Sequence, residues 1–250
     1  MGLQKINQYL RSVELCRSKV PSFSQYPFCL QAVSSLTTLE FHPKVTFIVG
    51  ENGTGKSTIL EAIAAAYGFN PEGGTINFNF STRSTHSELH DYIKLVKGVW
   101  RAEDGFFLRA ESFYNLASNI DDLDEGGLGA RLVDSYGGTS LHEQSHGEAF
   151  LSVFINRFGG SGLYILDEPE AALSPMRQLT MLSRLHQLVQ DNSQFIIATH
   201  SPIIMSYPDS VIYELKNGYT EVAYKDTEHY QIMKRFINNS DKMLDLLMEE

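Results

Sequence analysis

Val45-Thr46-Phe47-Ile48-Val49 runs without a break into Gly50-Glu51-Asn52-Gly53-Thr54-Gly55-Lys56-Ser57-Thr58, and the helix-prone stretch ILEAIAAAY follows. A β-branched run that is apolar on both faces reads as a strand in the middle of a sheet. The string G-x-x-x-x-G-K-[ST] between a strand and a helix is a phosphate-wrapping loop. Its glycines let the backbone curl until the N–H groups point inward, at a helix N-terminus whose partial positive charge favours an anion. Lys56 is then placed to reach the β- and γ-phosphates of a nucleotide, and the Ser57 hydroxyl to ligate Mg²⁺. All nine residues from Gly50 to Thr58 are candidate ATP contacts.

Further apolar runs at Leu163–Leu166, Gln194–Thr199 and Ser210–Leu215 read as strands separated by helical stretches. Leu179, Leu182, Leu185, Leu188 and Val189 fall on one predicted helical face. Strand, helix, strand is the order of a mostly parallel sheet covered on both sides. One domain over residues 1–250 is expected. Between about 70 and 140 the rhythm breaks at glycine pairs and at the acidic run Asp121, Asp122, Asp124 and Glu125, which reads as a small inserted lobe with mobile loops. Residues 228–250 read as two short helices interrupted at Asn238-Asn239-Ser240.

The run LYILDEPE ends a second buried strand with Asp167 and Glu168, at the sheet edge where ligands of open α/β proteins bind. Asp167 is a candidate for holding hydrated Mg²⁺, and Glu168 for general base toward the attacking water. Ser145-His146-Gly147-Glu148, 22 positions before Asp167, resembles the signature of ABC-type ATPases. Ala172-Leu173-Ser174 resembles their D-loop, and His200 in ATHSP resembles their switch histidine. The resemblance implies an ABC-type α/β fold with an N-terminal antiparallel β part and a helical lobe. It also implies ATP and Mg²⁺ as ligands, catalysis by Glu168, His200 and Lys56, and a homodimer in which each signature faces the other subunit's γ-phosphate. The signature has a local rationale too, because Ser145 and Glu148 have capping-box spacing and a helix should start at Ser145.

Several details depart from the transporter pattern. Glu148 stands where transporters favour glutamine, and this, with the DEPEAAL run, is closer to SMC-type and DNA-repair heads. His146 replaces a glycine. No glutamine occurs between Gln31 and Gln144, so the Q-loop has no match, with Glu111 the nearest substitute. Tyr26 and Phe28 are candidate adenine-stacking aromatics by distance alone.

Two histidine patterns compete for attention. His142-Glu143-Gln144-Ser145-His146 is a literal H-E-x-x-H, the zinc-protease string. A helix start at Ser145 leaves His142 outside the helix such a site requires. His86 and His90 have helical metal spacing without the accompanying glutamate, and read as solvated.

The formal net charge of -10 argues against generic attraction to nucleic acid or anionic membranes. Two cysteines without a CxxC pair fit a reducing compartment, and the start of the chain has no signal-peptide run, so a cytoplasmic protein without direct membrane insertion is expected. The expected partners are a second copy and an unidentified protein or DNA effector. The alternatives are the nucleotide-binding subunit of an ABC transporter, a DNA-repair or anti-phage defence ATPase and, remotely, the zinc protease. A GTPase is disfavoured by the absence of N-K-x-D, and a small-molecule kinase leaves Ser145–Glu148 unexplained.

Overall fold

The computed structural model describes residues 8–75, 87–110, 113–126 and 131–248. Among these, the strands are β1 (Leu10–Leu15), β2 (Thr38–Glu40), β3 (Val45–Gly50), β4 (Ile93–Lys97), β5 (Asp104–Arg109), β6 (Gly162–Asp167), β7 (Gln194–Ala198), β8 (Ser210–Leu215) and β9 (Tyr219–Glu221). The helices are α1 (Gln31–Ser34), α2 (Lys56–Tyr67), α3 (Phe113–Gly126), α4 (His146–Ser152), α5 (Pro175–Gln190), α6 (Pro202–Met205), α7 (Glu228–Asn238) and α8 (Ser240–Met248). No helix among the described residues is long and apolar enough to cross a membrane.

The main sheet has the order β5-β6-β7-β3-β8-β9. Its first five strands are parallel, and β9 returns antiparallel along β8. Every residue of β3 is buried, because parallel partners flank it and helices cover both faces. Alternation sorts its side chains: Val45, Phe47 and Val49 enter one core with Phe106, Tyr164 and Phe195, while Ile48 enters the other with Phe107, Ile165 and Ile196. The first core lies under α4 and α5, the second under α2 and the antiparallel sheet.

That smaller sheet, β2-β1-β4, packs on the main one and is tied to it by a buried amide. Gln194, at the start of β7, accepts from the N–H groups of Tyr9 and Leu10 at 2.9 Å each. It donates to the carbonyls of Leu10 at 2.7 Å and His42 at 3.0 Å. All its hydrogen-bonding capacity is used inside the protein, where no water could replace a lost partner.

Three expectations change. The stretch from 70 to 140 is not one inserted lobe: β4 pairs with β1 and β5 pairs with β6, so its middle belongs to the two sheets. The helical part begins at α3. The acidic run lies on that helix rather than in a mobile loop, with Asp124 accepting from the N–H groups of Leu132 and Val133 and Asp121 from the Ser140 hydroxyl. On α5 the buried positions are Gln178, Met181, Leu185, Leu188 and Val189, and Leu179 is 51% exposed. Leucine spacing misplaced the face by one position at its start because Met181 and the amide of Gln178 fill the core there. In the tail, α7 ends at Asn238 and α8 starts at Ser240.

Replacing Gln194 by Leu strands two N–H groups and two carbonyls and should lower unfolding stability by roughly 2–4 kcal/mol. Gln190→Leu on the exposed side of α5 should change it by less than about 0.5 kcal/mol. Urea denaturation followed by circular dichroism measures both.

Candidate nucleotide-binding site

The strand-to-helix turn after β3 has the backbone its glycines foretell. Gly53 and Gly55 adopt φ of 79° and 94°, a region costly for any residue with a Cβ. A Cβ on Gly55 would also lie 2.9 Å from the Leu30 side chain. Gly55 caps α2 without a side-chain hydrogen bond. The first N–H groups of this helix are therefore left for an external anion. Thr54 ties the loop to itself, its hydroxyl donating to the Glu51 carbonyl at 2.8 Å.

Lys56 is only 4% exposed, and its ammonium donates to the carbonyls of Gly50 and Glu51 at 2.8 and 2.9 Å. Burial pushes this ammonium below the ordinary lysine range, while Glu168, Asp167 and Glu170 pull the other way. The lysine thus lies folded over the loop among carboxylates, positioned to exchange its carbonyl partners for phosphate oxygens. One helical position on, the Ser57 hydroxyl donates to Asp167 Oδ1 at 3.0 Å. Asp167 closes β6 and is itself buried.

A hydroxyl and a carboxylate set side by side on two elements are hard oxygen donors of the kind Mg²⁺ takes, beside a loop shaped for phosphate. The residues present fit a magnesium nucleotide.

Glu168 follows at φ 51°, a strained left-handed conformation for a residue with a side chain. Its N–H donates to the Ala198 carbonyl at 3.0 Å, which ties the end of β6 to the end of β7. The turn brings Oε1 of Glu168 to 3.3 Å from Nε2 of His200. His200 is also held from behind, its backbone N–H donating to Glu170 Oε1 at 2.5 Å. Burial raises the Glu170 carboxyl above its usual range and lowers the His200 imidazole below its own.

The structure therefore gathers Lys56, Ser57, Asp167, Glu168 and His200 at the carboxyl ends of three neighbouring strands, β3, β6 and β7. The signature is elsewhere. Ser145 caps α4, with its N–H and hydroxyl both donating to Glu148 Oε2 at 3.2 and 2.5 Å. Glu148 Oε1 takes the Arg177 guanidinium at 3.0 Å, and Gly147 is packed so tightly on the Ala172 carbonyl that a Cβ would sit 2.5 Å from it. Signature and D-loop thus touch one another, with Leu173 buried and Ser174 capping α5. No described contact carries Ser145, His146, Gly147 or Glu148 to the phosphate loop of the same chain.

Phe28 is buried, edge-on to Tyr92, and so cannot stack on a base; Tyr26 is 67% exposed. His142 occupies a one-turn helix before the cap, its Nε2 3.1 Å from the Ser118 hydroxyl, so His142 and His146 do not share a helix. Glu111 and His86 lie outside the described residues.

Three neighbours carried no sequence signal. Arg109, ending β5, places Nε 3.6 Å from Asp167 Oδ2 and donates from NH1 to Glu61 Oε2 at 2.8 Å. Glu170 was legible only as part of an acidic run. His229 reaches the site from the tail, with Nε2 3.0 Å from His200 Nδ1.

A family model described as an AAA domain matches residues 23–123. The Ribose import ATP-binding protein RbsA of Bacillus cereus is 24% identical over 199 residues, covering 72% of this chain and 38% of that protein. The Cytochrome c biogenesis ATP-binding export protein CcmA of Legionella pneumophila is 26% identical over 174 residues, covering 66% of this chain and 84% of that protein. The chain is thus similar in sequence to the ATP-binding proteins of ABC systems. An SMC head domain from Thermotoga maritima is a similar structure, with 16% identity, a TM-score of 0.43 and coverage of 86% of this chain and 98% of that chain. The chain spans between 23% and 38% of the length of the first curated relatives it matches.

Lys56→Ala removes a buried cation aimed at the loop, and a charge-assisted contact of about 1.5–3 kcal/mol corresponds to roughly 10- to 150-fold weaker ATP binding. Isothermal titration with ATP and Mg²⁺ reads the change directly.

Proposed function

We propose that this chain binds and hydrolyses ATP at a site shared between two copies, and that closing and opening of the pair drives an effector. The observation that carries the reading is the convergence of Lys56, the Ser57–Asp167 pair and the Glu168–His200 pair at one sheet edge. In this reading the loop N–H groups from Gly50 to Thr58 and the Lys56 ammonium hold the phosphates. Ser57 and Asp167 would hold Mg²⁺, which would supply positive charge to offset that of the phosphates. Glu168 takes a proton from the attacking water, and His200 donates from Nε2 to the γ-phosphate.

The separation of the signature from the phosphate loop within one chain supports a second copy as the missing part. Ser145 and His146 are exposed at the start of a helix, an end that favours a phosphate bound by the partner. The buried contact of Gly147 with Ala172 makes signature and D-loop one body. Binding energy at one site is then transmitted to the other through the D-loop.

A second reading, the energy-supplying subunit of a transporter, is favoured by the names of the curated relatives. Co-purification with an integral membrane protein would support it. ATPase stimulation by duplex DNA that fades with added salt would instead identify a nucleic-acid effector.

Glu168→Gln should bind ATP with affinity within about threefold of wild type, lose at least about 100-fold in turnover, and accumulate as a dimer in ATP and Mg²⁺. Hydrolysis assays with light scattering after gel filtration test this; a fully active variant or a permanent monomer would overturn the shared-site mechanism.

A further inference from the structure

The tail is anchored beside the hydrolytic groups by more than proximity. Thr227, fully buried, caps α7 by accepting from Tyr230 N at 3.4 Å and donates its hydroxyl to the Tyr224 carbonyl at 2.8 Å. Glu228 N donates to Glu214 Oε1 at 2.8 Å, at the carboxyl end of β8. Lys216 bridges the same two carboxylates at 3.4 and 3.3 Å. Tyr224 OH donates to the Pro202 carbonyl at 2.9 Å, fixing the turn before α7 to the helix that follows His200. These bonds set the first turn of α7, and His229 within it, against the switch histidine.

The ring of His200 has a polar neighbour at each nitrogen, a hydrogen bond at Nδ1 and a close approach without hydrogen-bond geometry at Nε2. Nε2 faces Glu168 Oε1 at 3.3 Å and Nδ1 faces His229 Nε2 at 3.0 Å. A carboxylate only accepts, so a hydrogen on Nε2 suits the nearby Glu168 and a γ-phosphate oxygen alike. A neutral imidazole has one donor and one acceptor. With hydrogen on Nε2, Nδ1 of His200 needs a donor, and His229 Nε2–H lies within reach. That leaves His229 Nδ1 unprotonated, and this buried atom finds no hydrogen-bond partner among the described residues. An unused acceptor there costs less than a stranded N–H would. Burial keeps both rings below the ordinary histidine range, which favours the neutral forms.

We propose that His229 is a positioning residue, whose Nε2–H locks His200 in the tautomer that points a donor at Glu168 and the γ-phosphate, so that the C-terminal helix α7 sets the competence of the hydrolytic site. The inference rests on the ATPase reading above and assigns a role to a residue outside every motif of that reading. Any partner that shifts α7 would then alter hydrolysis without touching the nucleotide.

The test uses the full chain with ¹⁵N-labelled histidine, comparing wild type, His229→Leu and His229→Gln, whose amide N–H can replace the lost donor. Long-range ¹H–¹⁵N imidazole spectra without nucleotide should show His200 protonated on Nε2 in wild type and His229→Gln, and a mixture of tautomers in His229→Leu. In hydrolysis assays His229→Leu should lose about tenfold or more in kcat with KM for ATP within about twofold, and His229→Gln should recover to within about threefold of wild type. Unchanged tautomer and kcat in His229→Leu would overturn the proposal, as would a His229→Gln protein no better than His229→Leu in both readouts. A wild-type chain that neither binds nor hydrolyses ATP would overturn the underlying reading, while the tautomer spectra would still decide what His229 does to His200.

Discussion

The parallel pairing of β3 between β7 and β8 is the constraint on which the rest depends. Val45 to Ile48 pair with Phe195 to Ala198 on one side, and Val45 to Gly50 with Ser210 to Leu215 on the other. A strand so enclosed must be apolar on both faces, and its end must be a tight exit into helix α2. Because β6 pairs with β7 in the same direction, the residues after β3, β6 and β7 emerge at one edge. Lys56, Asp167, Glu168 and His200 meet there although they are spread over more than half of the chain.

Electrostatics at that edge is balanced by surroundings rather than by single pairs. The Lys56 ammonium is drawn from water but faced by three carboxylates, Glu168, Asp167 and Glu170. Arg109 and His200 add cationic or donating groups beside Asp167 and Glu168. A magnesium nucleotide would enter this balance with both signs of charge, phosphates for the lysine and metal for Asp167. The first turn of α2 holds no acidic side chain, which agrees with a site built for an anion.

What could be read in advance was what local chemistry writes. The phosphate loop depends on glycines that need positive φ and on one lysine, so its residues announce it. The cap at Ser145 likewise rests on a serine and a glutamate three apart. Where the reading slipped, neighbours far along the chain decided. Leu179 has the right spacing for a core face yet is exposed, because the partners of α5 lie under Gln178 and Met181. Phe28 sits at a plausible distance from the loop but packs on Tyr92. The segment from 70 to 140 looked like an insertion because β4 and β5 are short and their partners, β1 and β6, are distant.

The sequence by itself determined the candidate nucleotide site, since the loop Gly50–Thr58, the Asp167-Glu168 pair and His200 each lie in a run whose pattern is set within a few residues. Only the tertiary structure decided which groups stand around them: Arg109 on Asp167, Glu170 behind His200, His229 beside it, and Gln194 joining the two sheets. The reason is physical. A loop or a cap is made by backbone angles and hydrogen bonds to near neighbours, which a short string encodes. A contact between residues 29 or more positions apart exists only once strand order and packing have brought two elements together, and no local pattern carries that information.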